Sequence, residues 1–168
     1  MTKKNESFRI LIVDDNREIR VILEEYLREE GYAAEGAGEG KEALAKHATS
    51  PFDLVITDLN MPGMTGLELI KEMSKGETTT EFIIITGYAS LDTAIEAVKA
   101  GAFDYIVKPF RIEELKVVIK NAQDKIMLKK ANKQLFDKLK SFYLEISRYR
   151  KWLDDEDIAH FMQNEPES

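Results

Sequence analysis

The sequence predicts an α/β fold built around a parallel sheet with helices on both faces. Four short runs rich in Ile and Val lack the alternation of polar and apolar residues that marks a sheet with one solvent-exposed face. Segments with the apolar spacing of helices lie between these runs. Strands that alternate with helices need crossover connections, which are right-handed, and this order favours an open, doubly wound sheet.

Five strands are expected in this sheet. The four apolar runs cover residues 8–13, 53–57, 82–86 and 104–107, and a weaker candidate at 33–35 fills the gap between the first two. Continuous apolar runs of this length suit strands that are buried on both faces. The order of strand and helix is therefore expected five times along the chain.

Helix bounds follow from apolar stripes and from residues that begin or end helices. The first helix is expected to stop at Gly31 and the fourth at Gly101, and Thr65 with Glu68 forms a capping box that begins the third. An Ala-rich segment at 41–48 supplies the second. The apolar stripes are Ile19, Ile22, Leu23, Tyr26 and Leu27 in the first helix, Leu69, Ile70 and Met73 in the third, and Ala94, Ile95 and Val98 in the fourth.

Composition limits the classes of function. The 168 residues carry a net charge of −7, and the chain is acidic up to residue 119, basic from 120 to 151 and acidic again afterwards. Cysteine is absent, so disulfides and thiolate metal sites are excluded. His47 and His160 are expected to be ordinary helix-surface residues rather than ligands. The chain has no apolar run of membrane-spanning length and no signal peptide, so a cytoplasmic protein without membrane contact is expected.

Polar side chains follow the ends of four of the five strands. The first strand ends at Asp14 and Asp15, the third at Asp58, the fourth at Thr86 and the fifth at Lys108. Ligands of doubly wound sheets bind beyond the carboxyl ends of the strands, where strand order reverses. Three carboxylates, a hydroxyl and an ammonium are therefore expected to meet at one edge of the sheet.

These residue types suit phosphoryl transfer. Three carboxylates at one point repel each other unless a cation joins them, and oxygen ligands without histidine or cysteine favour Mg²⁺ over Zn²⁺. Phosphoryl transfer needs a nucleophile, a divalent ion and a second positive charge, because its catalysis is mostly positioning and electrostatics. The sequence predicts Asp58 as the nucleophile, Asp14 and Asp15 as the pair for the metal, and Lys108 as the second cation.

Each of these residues also has an ordinary structural interpretation. The acidic pair and Asn16 could cap the following helix, and Asp58 could simply begin a turn. Thr86 could be present only because threonine suits strands, and Lys108 could extend its ammonium from a strand end into solvent. These separate interpretations explain the residues less well than a shared site does, because all the positions fall on one edge of one sheet.

Four segments match a known family: ILIVDDN, DLVITDLNMPGMTGLEL, FIIITGYAS and AIEAVKAGAFDYIVKPF. Over roughly residues 8–122 the chain resembles the receiver domains of two-component response regulators, and it looks closest to receivers of the nitrogen-regulatory activators. The resemblance implies a flavodoxin-like sheet with strand order 2-1-3-4-5. It also implies a switch that accepts a phosphoryl group from a histidine kinase or a phosphotransfer protein, rather than an enzyme that turns over a separate substrate.

The resemblance assigns roles to the acidic residues. Asp58 would be phosphorylated, and Asp15 and Asp58 would bind Mg²⁺ through their side chains. Asp14 would act through a metal-bound water, and Asn60 would offer its backbone carbonyl. Lys108 would pair with the phosphate.

The resemblance also assigns roles in switching and in loss of the phosphate. The Thr86 hydroxyl would turn toward the phosphate and vacate space for Tyr105, which would change the face formed by the fourth helix, fifth strand and fifth helix. That change would control an output partner or dimerisation. Asn60 and Tyr88 would flank the path of the hydrolytic water. The peptide bond between Lys108 and Pro109 is usually cis in the family.

The fifth helix is expected to continue beyond the sheet, because no glycine or proline follows Phe110 before Pro166. Its first part packs on the sheet through Leu115, Ile119, Ala122 and Ile126. Apolar residues then follow at alternating steps of four and three, as in a coiled coil. This seam consists of Leu128, Asn132, Leu135, Leu139, Phe142, Ile146, Tyr149 and Leu153. The predicted parts are a receiver domain at 1–122, a coiled-coil extension at 123–153 and a flexible acidic tail at 154–168.

The seam favours a homodimer through residues 128–153. Phe136, Leu144 and Trp152 lie off the seam, so a helix that folds back on its own domain, or a bundle of more than two helices, stays open. Direct DNA contact by the basic segment is not expected, because no helix-turn-helix follows it.

Three other functions are alternatives to the switch, and the residues argue against two of them. The chain could be the N-terminal sensory part of a transcriptional activator whose output domain lies beyond Ser168. A scaffold that never exchanges phosphate is disfavoured by the complete set of acidic and cationic residues. A phosphatase with an aspartyl intermediate is also disfavoured, because its acid–base aspartate, two residues after the nucleophile, is replaced here by Asn60.

Overall fold

The computed structural model of the chain describes residues 8–76 and 78–156, with side chains as far as residue 150. Strands and helices alternate along these residues, as predicted. The strands are β1 (Arg9–Val13), β2 (Ala33–Ala37), β3 (Leu54–Asp58), β4 (Glu81–Thr86) and β5 (Asp104–Val107). The helices are α1 (Arg17–Glu29), α2 (Gly40–Thr49), α3 (Gly66–Met73), α4 (Leu91–Ala100) and α5 (Ile112–Glu156).

The five strands form one parallel sheet in the order β2-β1-β3-β4-β5, which confirms the expected topology. Strand β2 continues two residues past its predicted end, because β1 runs alongside it and pairs Val13 with Ala37. The chain then returns to the other side of β1, so strand order reverses between β1 and β3. The register pairs Val13 also with Thr57, and Asp58 with Ile85. The carboxyl ends of β1, β3 and β4 therefore lie side by side.

Apolar side chains are buried on both faces of the sheet, as its continuous apolar strands predict. On one face Ile10 belongs to a cluster with Leu23 of α1 and Leu115 of α5. On the other face Leu11 belongs to a cluster with Ile70 of α3. Each fully buried side chain of this size contributes about 1.5–3 kcal/mol, so the two layers together fix the sheet between its helices.

The predicted helix ends are confirmed. Thr65 and Glu68 form a capping box at the start of α3. Gly101 ends α4 with a φ of 93°, and Gly31 follows α1 with a φ of 92°. This left-handed conformation favours glycine, which explains why both helices end where they do.

Two of the predicted apolar stripes are only partly buried. In α4, Ile95 and Val98 are exposed, whereas Ala97 is fully buried in the core. In α1, Ile22 is 62% exposed, although the neighbouring Leu23 is buried. Helical spacing identifies residues that share a face, but it does not say which face meets the sheet.

Helix α5 is a single helix of 45 residues, as predicted. The chain divides into two units after Met127. The residues of α5 that pack in the first unit are all buried: Leu115, Ile119, Ala122 and Ile126. None of the described helices has the length and hydropathy needed to cross a membrane.

The second unit carries the predicted seam. Its described apolar members are between 58% and 63% exposed: Leu128, Leu135, Leu139, Phe142, Ile146 and Tyr149. The side chains of Trp152 and Leu153 lie outside the described residues, as does His160 with the rest of the predicted tail from 157 to 168. The predicted domain bounds and the coiled coil stay predictions.

Candidate functional site

The expected polar side chains lie at one edge of the sheet. Asp14 directly follows β1, Asp58 is the last residue of β3, Thr86 is the last residue of β4 and Lys108 directly follows β5. The sheet order places the ends of β1, β3 and β4 next to each other. This edge lies at the point where strand order reverses, which is where doubly wound sheets bind ligands.

The three aspartates form one cluster. Carboxylate oxygens of Asp14, Asp15 and Asp58 all lie within 4.8 Å of one another. Asp14 is buried, Asp15 is exposed and Asp58 is half-buried. Oxygen donors alone suit Mg²⁺ rather than a metal that prefers nitrogen or sulfur, so the residues present fit the ion that the sequence predicts.

The helix-capping interpretation is confirmed for Asn16 but not for the acidic pair. Asn16 is the N-cap of α1, and its side-chain oxygen accepts hydrogen bonds from the backbone N–H groups of Glu18 and Ile19. The N–H of Asn16 itself donates to Oδ1 of Asp14 at 2.8 Å. Asn16 therefore begins the helix, and Asp14 is oriented by the turn that precedes it.

Lys108 places a positive charge inside the cluster. Its Nζ lies 2.8 Å from Oδ2 of Asp14 and 3.7 Å from Oδ2 of Asp58. The backbone N–H of Lys108 donates to the carbonyl of Thr86 at 2.8 Å, which holds the start of the following loop beside β4. The peptide bond between Lys108 and Pro109 is cis, as the resemblance implies. Lys108 therefore does not extend into solvent.

Asp58 has an unusual electrostatic environment. Burial is the main cause that raises the pKa of this carboxyl, and the charge of Asp14 raises it further. The Lys108 ammonium and hydrogen bonds from the N–H groups of Leu59 and Asn60 act in the opposite direction. The Leu59 N–H donates to Oδ1 of Asp58 at 2.8 Å. The carboxylate is thus oriented by the backbone and partly desolvated, as an oxygen nucleophile should be.

Helix α3 begins in close contact with the backbone of Asp58. The N–H of Gly66 donates to the carbonyl of Leu59 at 2.9 Å. A Cβ atom at Gly66 would collide with the carbonyl oxygen of Asp58 and would lie 3.2 Å from Cα of Leu59. Only glycine allows this approach, and the segment MPGMTG gave no signal of it beyond the capping box.

The two predicted switch residues lie on neighbouring strands. Thr86 is fully buried, and its Oγ1 accepts a hydrogen bond from the N–H of Tyr88 at 3.2 Å. Tyr105 is half-buried on β5, and its phenol oxygen lies 2.8 Å from Oγ1 of Thr93 on α4. Sequence reasoning missed Thr93, although the spacing of Ser90 and Thr93 is that of a capping box.

Of the remaining predicted residues, Asn60 and Tyr88 are both exposed near this edge, and Tyr88 is 77% exposed.

An apolar groove of about 320 Å³ also borders the site and was not predicted. Its walls come from α1 and from the segment that follows β5. It is lined by Ile19, Ile22, Leu23, Lys108, Pro109, Phe110 and Ile112.

Comparison with known proteins gives a consistent result. Residues 10–120 match the family of response regulator receiver domains. Regulatory protein AtoC of Escherichia coli is 39% identical over 131 residues, which are 78% of this chain but 28% of AtoC. Sporulation initiation phosphotransferase F of Bacillus subtilis is 38% identical over 112 residues, which are 67% of this chain and 90% of that protein.

Solved structures have the same fold. One is the response regulator protein TrrA from Thermotoga maritima in complex with Mg²⁺ and beryllofluoride, with a TM-score of 0.62 and 40% identity. The match covers 68% of this chain and 98% of that chain. The chain spans only a small part of the longer relatives such as AtoC, so the output activities of those proteins do not follow from these matches.

Proposed function

Because the chain belongs to the family of response regulator receiver domains, we propose that it is a signalling switch in which Asp58 accepts a phosphoryl group. The observation that carries this assignment is the position of Asp58 at the end of β3. There its carboxylate is half-buried, bound by a backbone N–H and 3.7 Å from the ammonium of Lys108. Asp15 is exposed and Asp14 is paired with Lys108, so neither is as well suited to be the acceptor.

The phosphoryl donor would be a phosphohistidine of a sensor kinase or of a phosphotransfer protein. A carboxylate oxygen of Asp58 forms a bond to phosphorus while the phosphorus–nitrogen bond of the donor breaks. The electron pair of that bond stays on the imidazole, which takes up a proton. Lys108 is near enough to move from Asp14 toward the new phosphoryl oxygens, because its ammonium already lies between the two carboxylates.

The acidic cluster is the proposed binding site for Mg²⁺. Asp15 and Asp58 would bind the ion through their side chains, Asp14 through a water and Asn60 through its carbonyl. When bound, Mg²⁺ would supply positive charge that offsets the repulsion between the carboxylates and the phosphoryl oxygens. In support, TrrA, which is 40% identical to this chain, was solved as a complex with Mg²⁺ and beryllofluoride.

The apolar groove beside Lys108 is the proposed contact surface for the phosphodonor protein. A donor has to cover this edge to bring its histidine to Asp58, and the groove offers exposed apolar surface there, including Ile22 at 62% exposure. Exposed apolar surface next to a reactive group is typical of a protein contact. Such partners also favour the cytoplasm as the location of the chain.

The seam in α5 is the proposed dimer contact. Six large side chains between Leu128 and Tyr149 are more than half exposed and form one stripe, which a parallel partner helix would cover. Asn132 falls at a core position, where its amide can pair with that of a second copy. Glu145 and Arg150 fall at flanking positions that attract each other across a parallel pair.

An alternative has specific support. AtoC, a regulatory protein, is matched over only 28% of its length, which is what a shared sensory domain would give. The chain could therefore be the sensory part of a longer transcriptional activator. Sequencing the gene beyond the codon for Ser168 decides between a separate switch and an attached one.

The assignment of Asp58 is tested by intact-mass measurement. Acetyl phosphate with Mg²⁺ should add one phosphate to the wild type and none to Asp58→Asn, because an amide of the same shape is not a nucleophile. Asp92→Asn on α4 is the matched control and should be labelled like the wild type. Undiminished labelling of Asp58→Asn would show that another residue is the acceptor.

A further inference from the structure

The hydroxyl of Thr93 joins the start of α4 to Tyr105 on β5. Oγ1 of Thr93 lies 2.8 Å from the phenol oxygen of Tyr105. The same atom accepts a hydrogen bond from the N–H of Ser90 at 3.0 Å and lies 3.0 Å from the Ser90 carbonyl. Ser90 is the N-cap of α4, so Tyr105 is bound to the group that begins this helix.

The number of hydrogen bonds that a hydroxyl can donate and accept indicates which atom is the donor in each contact. A threonine hydroxyl donates one hydrogen bond and accepts two. Thr93 donates to the carbonyl of Ser90, which has no proton, and accepts from the N–H of Ser90. One lone pair is then left, and two hydroxyl groups lie within reach of it: the phenol of Tyr105 at 2.8 Å and Oγ of Ser90 at 3.1 Å. The phenol is the nearer of the two, so we assign it as the donor.

Both switch residues are therefore bound to the same short segment. Thr86 accepts from the N–H of Tyr88, and Tyr105 donates to Thr93, five residues further along. A Thr86 hydroxyl that turns toward a phosphoryl group on Asp58 has to give up the N–H of Tyr88. A Tyr105 ring that moves has to give up Thr93. Each movement removes a contact of the segment that runs from Tyr88 into the first turn of α4.

We propose that Thr93 is a positioning residue of the switch, whose hydroxyl holds Tyr105 in its unphosphorylated arrangement. The proposal rests on the proposed function, since it concerns the response to the group on Asp58. It also explains how the response reaches α4, because the N-cap of that helix shares the hydroxyl that binds Tyr105. Binding of a phosphoryl group and release of Thr93 are then linked equilibria.

The test is a double-mutant cycle with an equilibrium measurement. Thr93→Val removes the hydroxyl and keeps the shape, Thr93→Ser keeps the hydroxyl, and Tyr105→Phe removes the phenol. Beryllofluoride is titrated into each variant of the 168-residue chain at fixed Mg²⁺, and the bound fraction is measured by fluorine NMR. Thr93→Val also loses the contacts of Thr93 with the N-cap Ser90. This loss is the same whether residue 105 is tyrosine or phenylalanine, so it cancels when the two effects are compared.

Thr93→Val should bind beryllofluoride about two- to tenfold more tightly than the wild type, which is the fold-change that one net hydrogen bond corresponds to. Thr93→Ser should bind like the wild type. The effect of Thr93→Val should be smaller in the Tyr105→Phe background, because the hydrogen bond between Thr93 and Tyr105 is already absent there. An equal effect in both backgrounds, no effect, or weaker binding would overturn the proposal.

Failure of the proposed function gives a different result. A wild type that binds no beryllofluoride and accepts no phosphate contradicts the role of Asp58. The NMR signals of the Tyr105 ring in the free proteins report separately on Thr93. Ring signals that shift in Thr93→Val and not in Thr93→Ser support the positioning role, and unchanged signals in both overturn it.

Discussion

The ammonium of Lys108 lies 2.8 Å from Oδ2 of Asp14 and forms a hydrogen-bonded ion pair with this buried carboxylate. Lys108 is farther from Asp58, at 3.7 Å. The positive charge that we expect to pair with a phosphoryl group therefore neutralises part of the acidic cluster in the free protein. A Mg²⁺ ion bound by the acidic cluster would therefore compete with Lys108 for the same negative charge.

Replacing Lys108 by methionine should tighten Mg²⁺ binding and slow phosphorylation. Methionine is of similar length but uncharged, so the carboxylates of Asp14 and Asp58 keep more negative charge for a divalent ion. We expect a several-fold rise in Mg²⁺ affinity by calorimetry and slower labelling by acetyl phosphate. The exposed Lys99 on α4 provides a control, and Lys99→Met should change neither quantity. Weaker Mg²⁺ binding by Lys108→Met would contradict the competition.

Replacing Tyr88 by alanine should shorten the lifetime of the phosphorylated state. The ring is 77% exposed at the edge of the site and has no strong base, so it hinders the approach of water more than it activates it. The phosphorylated protein should lose its phosphate a few times faster, as followed by intact-mass measurement over time. Its affinity for Mg²⁺ should be nearly unchanged. Equal rates of loss in the two proteins would show that the ring does not border the path of the water.

Replacing residues of the seam should dissociate the dimer. The triple variant Leu135→Ser, Leu139→Ser and Phe142→Ser removes three large side chains from each helix, and burial of each is worth about 1.5–3 kcal/mol. The dissociation constant should rise by roughly a thousandfold or more. Light scattering of the full chain should change from the dimer mass to the monomer mass.

The matched control for the seam is Leu144→Ser, an exposed leucine off the seam, which should leave the dimer intact. A wild type that is monomeric at micromolar concentration would rule out the coiled coil. A triple variant that stays dimeric would place the contact on the first unit instead.

His47 should make the stability of the fold depend on pH. Its Nδ1 accepts a hydrogen bond from the N–H of Phe52 at 3.2 Å. Burial, and then the charge of Arg9, lower the pKa of His47 below its ordinary value of 6.5. The folded protein binds this proton less well than the unfolded chain does. Stability is therefore fully present above pH 6.5 and is lost as pH falls through 6.5 toward the lowered pKa.

The variant His47→Asn separates this effect from general acid sensitivity. Asparagine keeps an acceptor at the position of Nδ1 but does not titrate. Urea unfolding at about pH 7.5 and about pH 5.5 should show a larger loss of stability for the wild type than for the variant. Equal losses in both proteins would mean that His47 titrates as it does in the unfolded chain.

The fold and the edge where the site lies could be predicted from sequence because both follow from order along the chain. Apolar runs without alternation require a sheet that is covered on both faces, and its parallel strands bring Asp14, Asp58 and Thr86 to one edge. These statements need no knowledge of side-chain conformation. The same is true of Gly31 and Gly101, whose positions depend on backbone geometry alone.

Other features depend on information that spacing does not contain. The contact of α4 is made by the small Ala97 and not by Ile95 or Val98, because the side chain that faces the sheet is decided by the rotation of the whole helix. The hydrogen bond between Thr93 and Tyr105 joins two elements and depends on the rotamers of both side chains. A capping box signals only the local half of that arrangement.

The close approach of Gly66 to Asp58 has a consequence for the direction in which a signal can travel. On the α3 side of Asp58 the two backbones are in close contact, since even a methyl group at Gly66 would collide with the Asp58 carbonyl. On the β4 side, Gly87, Tyr88 and Ala89 are exposed and have space around them. Asp58 therefore lies between a closely packed element, α3, and an exposed segment after β4. We expect a displacement that begins at Asp58 to reach the segment after β4 more easily than α3.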